Sequence, residues 1–167
     1  MYTMKKLVLP FLLIFIQGFA EDCFFIPPKN WQAIAEKKLP QNVTQMAKGY
    51  GKKELPPSIN LSIEKTSLNI EQYTKAIKAI HLSNRLNSWV KLGTIDTAAG
   101  EAVLTQIRSK CEWGAIRMLQ CFMVKNGHAY VITTTALEEE FPKFYREFFS
   151  SIQSLQFTSS GISQKDS

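Results

Sequence analysis

Between Gly100 and Leu155 the chain alternates, turns, alternates again and then changes period, and this stretch restricts the possible folds most. Glu101–Cys111 and Ile116–Val124 read as strands joined by a turn at Glu112-Trp113-Gly114-Ala115. Asn126-Gly127 is the commonest hairpin dipeptide, because both residues tolerate positive φ, and it returns the chain into a third strand, His128–Leu137. The spacing then becomes helical over about Glu139–Leu155. Phe141, Phe144, Tyr145, Phe148, Ile152 and Leu155 form one stripe, and Glu138–Glu140 stand where a helix dipole favours acids. Such an aromatic stripe buries large areas and predicts core packing rather than a ligand cage. An antiparallel meander closed by a helix makes the class α+β.

The rest of the chain is expected to complete this sheet and cover it. Its 167 residues, 45% of them hydrophobic, suffice for one domain with its own core. Met1–Ala20 is set apart. Lys5 and Lys6 precede an apolar run, Leu7–Ile16, and Gly18-Phe19-Ala20 puts small residues at −3 and −1 of a cut after Ala20. That is the pattern of a secretory leader, and the run is about half of what a membrane span needs. The expected organisation is a leader at 1–20, one domain at 21–157 and a disordered tail at 158–167, which is polar and rich in serine. Without Lys5 and Lys6 the chain carries 18 bases against 14 acids, a net +4 with no long basic run. This does not indicate a nucleic-acid partner.

Cys23-Phe24-Phe25-Ile26 reads as a short strand stopped by Pro27-Pro28, with Trp31 packing back as a plug. A helical turn is expected within Trp31–Lys38 and a strand over Val43–Gly49. Lys48–Glu54 reads as an exposed, mobile loop holding Lys48, Lys52 and Lys53. Ile59, Leu61 and Ile63 alternate with Asn60, Ser62 and Glu64, giving a strand with one buried face. Asn69 is the expected cap of a helix over Ile70–Arg85, with Tyr73, Ala76, Ile77, Ile80 and His81 on its inner side. Trp89–Ile95 is a further strand.

An exported chain meets an oxidising compartment, so its three cysteines matter. The turn at Trp113-Gly114 is expected to set Cys111 opposite Ile116 and Cys121 opposite Gln106. The two thiols would then lie roughly 17 Å apart along the ladder and on opposite faces, out of disulfide reach. Three unpaired cysteines are the favoured reading, and a bridge from Cys23 stays open.

Reaction motifs are few. His81 and His128 fall in no metal-ligand spacing, and no phosphate-binding or nucleophile-elbow pattern occurs. No catalytic residue, cofactor or metal is expected. Asn42-Val43-Thr44 and Asn60-Leu61-Ser62 fit the glycosylation pattern, which matters only in a eukaryotic host.

Several segments resemble the PsbP/DcrB-like superfamily. They are Phe25-Ile26-Pro27-Pro28 with Trp31, Asp96–Ala102, Lys125–Thr133, Phe141–Tyr145 and Ser151–Phe157. The resemblance spans about Cys23 to Phe157 and leaves Lys37–Pro57 without a counterpart. It implies an α/β/α sandwich on a central, mainly antiparallel sheet, and a non-enzymatic role. Similar proteins include extrinsic subunits and assembly factors of photosystem II, bacterial periplasmic proteins and a nuclear Ran-binding protein. Such a spread carries no function across, and the family has no shared catalytic motif to match.

The expected function is therefore a periplasmic or secreted binding or assembly protein. Its partner would be another envelope or secreted protein, met through Lys48, Lys52 and Lys53. The alternative is a small-molecule or metal-ion carrier, or an enzyme, with a pocket between sheet and helix. His81, Cys111, Cys121 and Glu112 are its candidate lining.

Overall fold

The computed structural model describes residues 20–51 and 54–158. Nearly all of the expected leader, Lys52, Lys53 and the expected tail after Thr158 lie outside the described residues. In chain order the strands are β1 (Cys23–Phe24), β2 (Gln32–Ala33), β3 (Val43–Lys48), β4 (Ser58–Lys65), β5 (Ser88–Thr97), β6 (Gly100–Cys111), β7 (Gly114–Lys125), β8 (His128–Leu137) and β9 (Gln156–Phe157). The helices are α1 (Ile70–Ser83) and α2 (Phe141–Gln153), and a 3-10 turn covers Glu36–Lys38.

Seven strands make one antiparallel sheet in the order β2-β3-β4-β8-β7-β6-β5, while β1 pairs with β9 apart from it. The class is α+β, as expected. β5 to β8 form the meander. α1 carries the chain from β4, inside the sheet, to β5 at its edge. No helix among the described residues is long and apolar enough to cross a membrane.

The two hairpin turns differ in how well their chemistry announces them. Asn126 and Gly127 take φ of 50° and 74°, the mirror-image turn whose twist matches the strands. The turn before β7 lies one residue earlier than expected. Cys111 pairs with Gly114, leaving only Glu112 and Trp113 in the loop, and Gly114 takes φ 123°. This shifts the expected register by two. Cys121 opposes Leu104, and the two thiols separate further, by roughly 24 Å at 3.4 Å per residue. All three cysteines are free.

α1 begins at the expected cap. The Asn69 side chain accepts from the Gln72 amide at 2.9 Å, and the Gln72 side chain accepts from the Asn69 amide at 3.1 Å. This reciprocal pair satisfies two donors of the first turn. Tyr73 is buried, edge-on to Phe122 at 5.4 Å. Ile80, expected on the inner side, is 64% exposed. The inner face runs through Tyr73, Ile77 and His81 at four-residue spacing, and His81 reaches Gln120 of β7.

α2 starts at Phe141, two residues later than expected, because Pro142 fits only the first turn. Its first turn holds no acid. Glu138 turns away to Arg117 and Arg108, so ion pairing rather than the dipole engages it. Phe141, Phe148, Ile152 and Leu155 are buried as expected, but Tyr145 is half exposed, stacked 4.5 Å from Phe149. Trp31 closes the other flank, edge-on to Phe144 and Phe148 at 6.0 Å each.

Neighbouring residues of one strand serve different clusters. Leu119, Cys121, Tyr130 and Ile132 pack with Phe148 and Ile152 of α2, whereas Phe122, Ala129 and Val131 pack with Tyr73 of α1.

Candidate functional site

The expected partner loop is held at its ends. Lys48, exposed at the end of β3, pairs with Ser58. The Gly49 amide donates to Pro57 O at 2.8 Å, and Gly51 lies against Pro57 and Glu140. Tyr50, between the two glycines, projects with 77% of its surface exposed. Lys52 and Lys53 cannot be joined to this geometry, since they lie outside the described residues.

A second exposed stretch was not anticipated. β5 is one of the two edge strands of the sheet, β2 being the other. Of the eleven large hydrophobic side chains exposed among the described residues, five fall between residues 80 and 92: Ile80, Leu82, Leu86, Val90 and Leu92. Isolated exposed apolar residues are ordinary, but a concentration of them is not. A bulge at Leu92, where Gly93 takes φ 130°, interrupts the edge ladder. Bulges and lysines, here Lys91, are the usual guards of such an edge.

Beside Leu86 a groove of about 450 Å³ is lined by Arg85, Asn87, Arg108, Lys110 and Glu138. Glu138 is already engaged. Arg117, whose guanidinium lies 5.0 Å over Phe141, bonds it, and Arg108 approaches at 3.4 Å. The Arg117 hydrogen bond holds the Glu138 carboxyl below its ordinary range. The groove therefore presents more positive than negative charge. Its one signal in the sequence was the run of apolar residues Leu82, Leu86, Val90 and Leu92 after His81.

The four residues proposed for a pocket do not converge. His81 bonds Gln120 on the α1 side, while Cys121 packs among the α2 cluster. Cys111 and Glu112 sit at the β6–β7 turn, with Cys111 Sγ 3.4 Å from Gly114 O. Burial pushes the Cys23 and Cys121 thiols up to about 12, which suppresses the thiolate that nucleophilic or metal chemistry needs. His128 is buried against its own turn, Nδ1 3.1 Å from Asn126 O. No group of three potential metal ligands occurs among the described residues.

The start of the domain is tied to its far end. The Glu21 amide donates to Tyr130 Oη at 3.0 Å. Its carboxylate accepts from Lys125 at 2.9 Å and from Asn126 at 2.7 Å. The Lys125 bond lowers the Glu21 pKa. The Thr158 amide and hydroxyl both donate to Asp22 O, at 2.9 and 3.0 Å.

No protein-family model matches the sequence, and no curated protein does either. Solved structures share its architecture. LpqN of Mycobacterium tuberculosis, described as involved in cell envelope biogenesis, superposes with a TM-score of 0.61 at 11% identity over 84% of this chain and 85% of its own. Cyanobacterial PsbP of Synechocystis gives 0.51 at 9% identity over 84% and 95%. A Mog1 variant gives 0.55 at 11% over 83% and 92%. Identities this low carry architecture and not activity, and on that footing the chain shares the fold of LpqN, cyanobacterial PsbP and Mog1, consistent with the resemblance seen in the sequence.

Proposed function

We propose that this chain is an exported, non-enzymatic binding or assembly protein of the cell envelope, periplasmic or secreted, acting through protein–protein contacts. The observation that carries this reading is the run of exposed apolar side chains Ile80, Leu82, Leu86, Val90 and Leu92 along the end of α1 and the edge strand β5, with Leu86 beside a groove lined by Arg85, Arg108 and Lys110. Apolar stretches of this kind, with polar groups beside them, suit association. The leader-like segment at 1–20 supports export. The described role of LpqN in envelope biogenesis is compatible with the compartment.

The architecture is read as an α/β/α sandwich. Residues alternating along β7 and β8 serve α1 and α2 in turn, which supports a helix on each sheet face. In this reading residues 21–157 form a single domain. The loop bearing Lys48, Lys52 and Lys53 is a second proposed contact, with Tyr50 at its tip.

The test is crosslinking and affinity capture of the tagged chain Glu21–Ser167 in its own cell envelope, with mass spectrometry of what is retained. Leu86→Asp with Leu92→Asp is compared with deletion of 50–54. One dominant partner, lost with the leucine pair while the circular dichroism is unchanged, supports the edge surface. Loss only with the loop deletion moves the contact to the loop. No reproducible partner overturns the reading.

A further inference from the structure

Two independent observations meet at one residue. The sequence puts the expected leader cut between Ala20 and Glu21. The structure pins Glu21 by both ends, its backbone nitrogen on Tyr130 Oη and its carboxylate on Lys125 and Asn126. Residues just after a processing site are ordinarily loose, because chain termini are poorly ordered unless tied down. Here the tie falls on the first residue that the cut would leave.

We infer that the domain contains a built-in site for its own processed amino terminus. The site takes the α-ammonium group of Glu21 on Tyr130 Oη and the Glu21 carboxylate on Lys125 and Asn126. This rests on the export reading for the existence of the cut, but not for the geometry of the site.

The parts suit the role. The Tyr130 ring is fully buried, edge-on to Phe157 at 5.0 Å, so its hydroxyl is held in place as an acceptor. The Lys125 ammonium lies 4.0 Å over that same Phe157 ring, which fixes it from below while Glu21 holds it from above. Asn126 is committed to positive φ by the turn, and its side-chain amide is thereby aimed at Glu21. β1 pairing with β9 and the two bonds from Thr158 to Asp22 hold the next residues. An uncut chain offers Tyr130 a neutral amide N–H. A cut chain offers an ammonium, and hydrogen bonds with a charged donor are roughly twice as strong. Cleavage would thus tighten the closure of the domain, and the mature amine would be withheld from aminopeptidases and acylating agents.

The experiment uses the whole mature chain, Glu21–Ser167, treated with a limiting amount of an amine-reactive ester, with labelling at the α-amine and at each lysine quantified by peptide mass spectrometry. The α-amine is expected to react about tenfold more slowly than in Tyr130→Phe, the change that one hydrogen bond to a charged group supports. Glu21→Gln, which loses the ion pair with Lys125, is expected to fall between them. Unchanged labelling of the lysines other than Lys125 in both variants shows that the fold is intact. Equal α-amine rates in wild type and Tyr130→Phe, or a wild-type rate equal to that in denaturant, would overturn the site. Terminal sequencing of the protein from its native cell judges the other half. A start at Glu21 supports the cut, and a start elsewhere overturns it while leaving the labelling result to judge the site itself.

Discussion

Gly49 and Trp31 are packed so closely that a Cβ on Gly49 would lie 2.6 Å from Trp31 Cε2. The indole is itself wedged against Phe144 and Phe148, so it has no room to retreat. Gly49→Ala is expected to cost about 1–3 kcal/mol, the usual range for overpacking, and to unseat the loop that follows. Denaturant titration measures the first effect and limited proteolysis near Tyr50 the second. A variant as stable as wild type would mean that Trp31 moves freely.

The α2 stripe divides into two energetic classes. Phe148→Ala empties a fully buried position between Phe141, Phe144 and Trp31 and is expected to cost about 3–5 kcal/mol. Tyr145→Ala removes a half-exposed ring and is expected to change stability by about 0.5 kcal/mol or less. Chemical denaturation of both variants checks the contrast, and similar losses would place Tyr145 in the core.

Glu138 ties stability to acid. Hydrogen bonding from Arg117, with the nearby Arg108 charge, depresses its folded-state pKa below the unfolded value. Its contribution is therefore complete above the unfolded carboxylate range, near pH 4.3, and is lost as pH falls through the depressed value. The melting temperature of Glu138→Gln should lie below that of wild type at pH 7 and converge with it as pH falls through the depressed value. Parallel curves across that range would show that the ion pair contributes nothing.

The thiols should separate by accessibility. Cys111 is half-buried at a hairpin end, whereas Cys23 and Cys121 are buried with raised pKa values. Titration of the reduced, folded chain with a thiol reagent at pH 8 is expected to modify Cys111 first, with Cys23 and Cys121 reacting on the timescale of unfolding. Simultaneous modification of all three would contradict the packing around Cys121.

The meander and both helices were legible because each repeats a period several times, and a period survives small errors of boundary. β8 was placed to the residue because Asn126-Gly127 admits one turn. The β6–β7 register was not, because Trp113-Gly114 and Glu112-Trp113 are both acceptable loop centres, and the choice falls to the strand twist and Gly114. Strand order was hidden altogether. Nothing local in Ser58–Lys65 announces pairing with β8 rather than β5.

The candidate sites follow the same division. The leucines at 82, 86 and 92 were visible in the sequence, but their exposure depends on how α1 and the edge strand β5 pack. Glu21 and Lys125 are separated by a hundred residues of sequence, and only the closed fold brings them together.

The pairing of β1 with β9 orders events in time as well as in space. The first strand of the domain to be made, or to cross a membrane in linear order, has no partner until Gln156 and Phe157 have followed it. A ribosome or a translocation pore still holding the last residues therefore holds a domain that is unable to close. The meander can form early from neighbouring segments, whose contacts carry little loop-closure cost. The final step is then the return of the amino terminus to the carboxyl end, and a chain truncated before Gln156 should stay open at that seam for as long as it lasts.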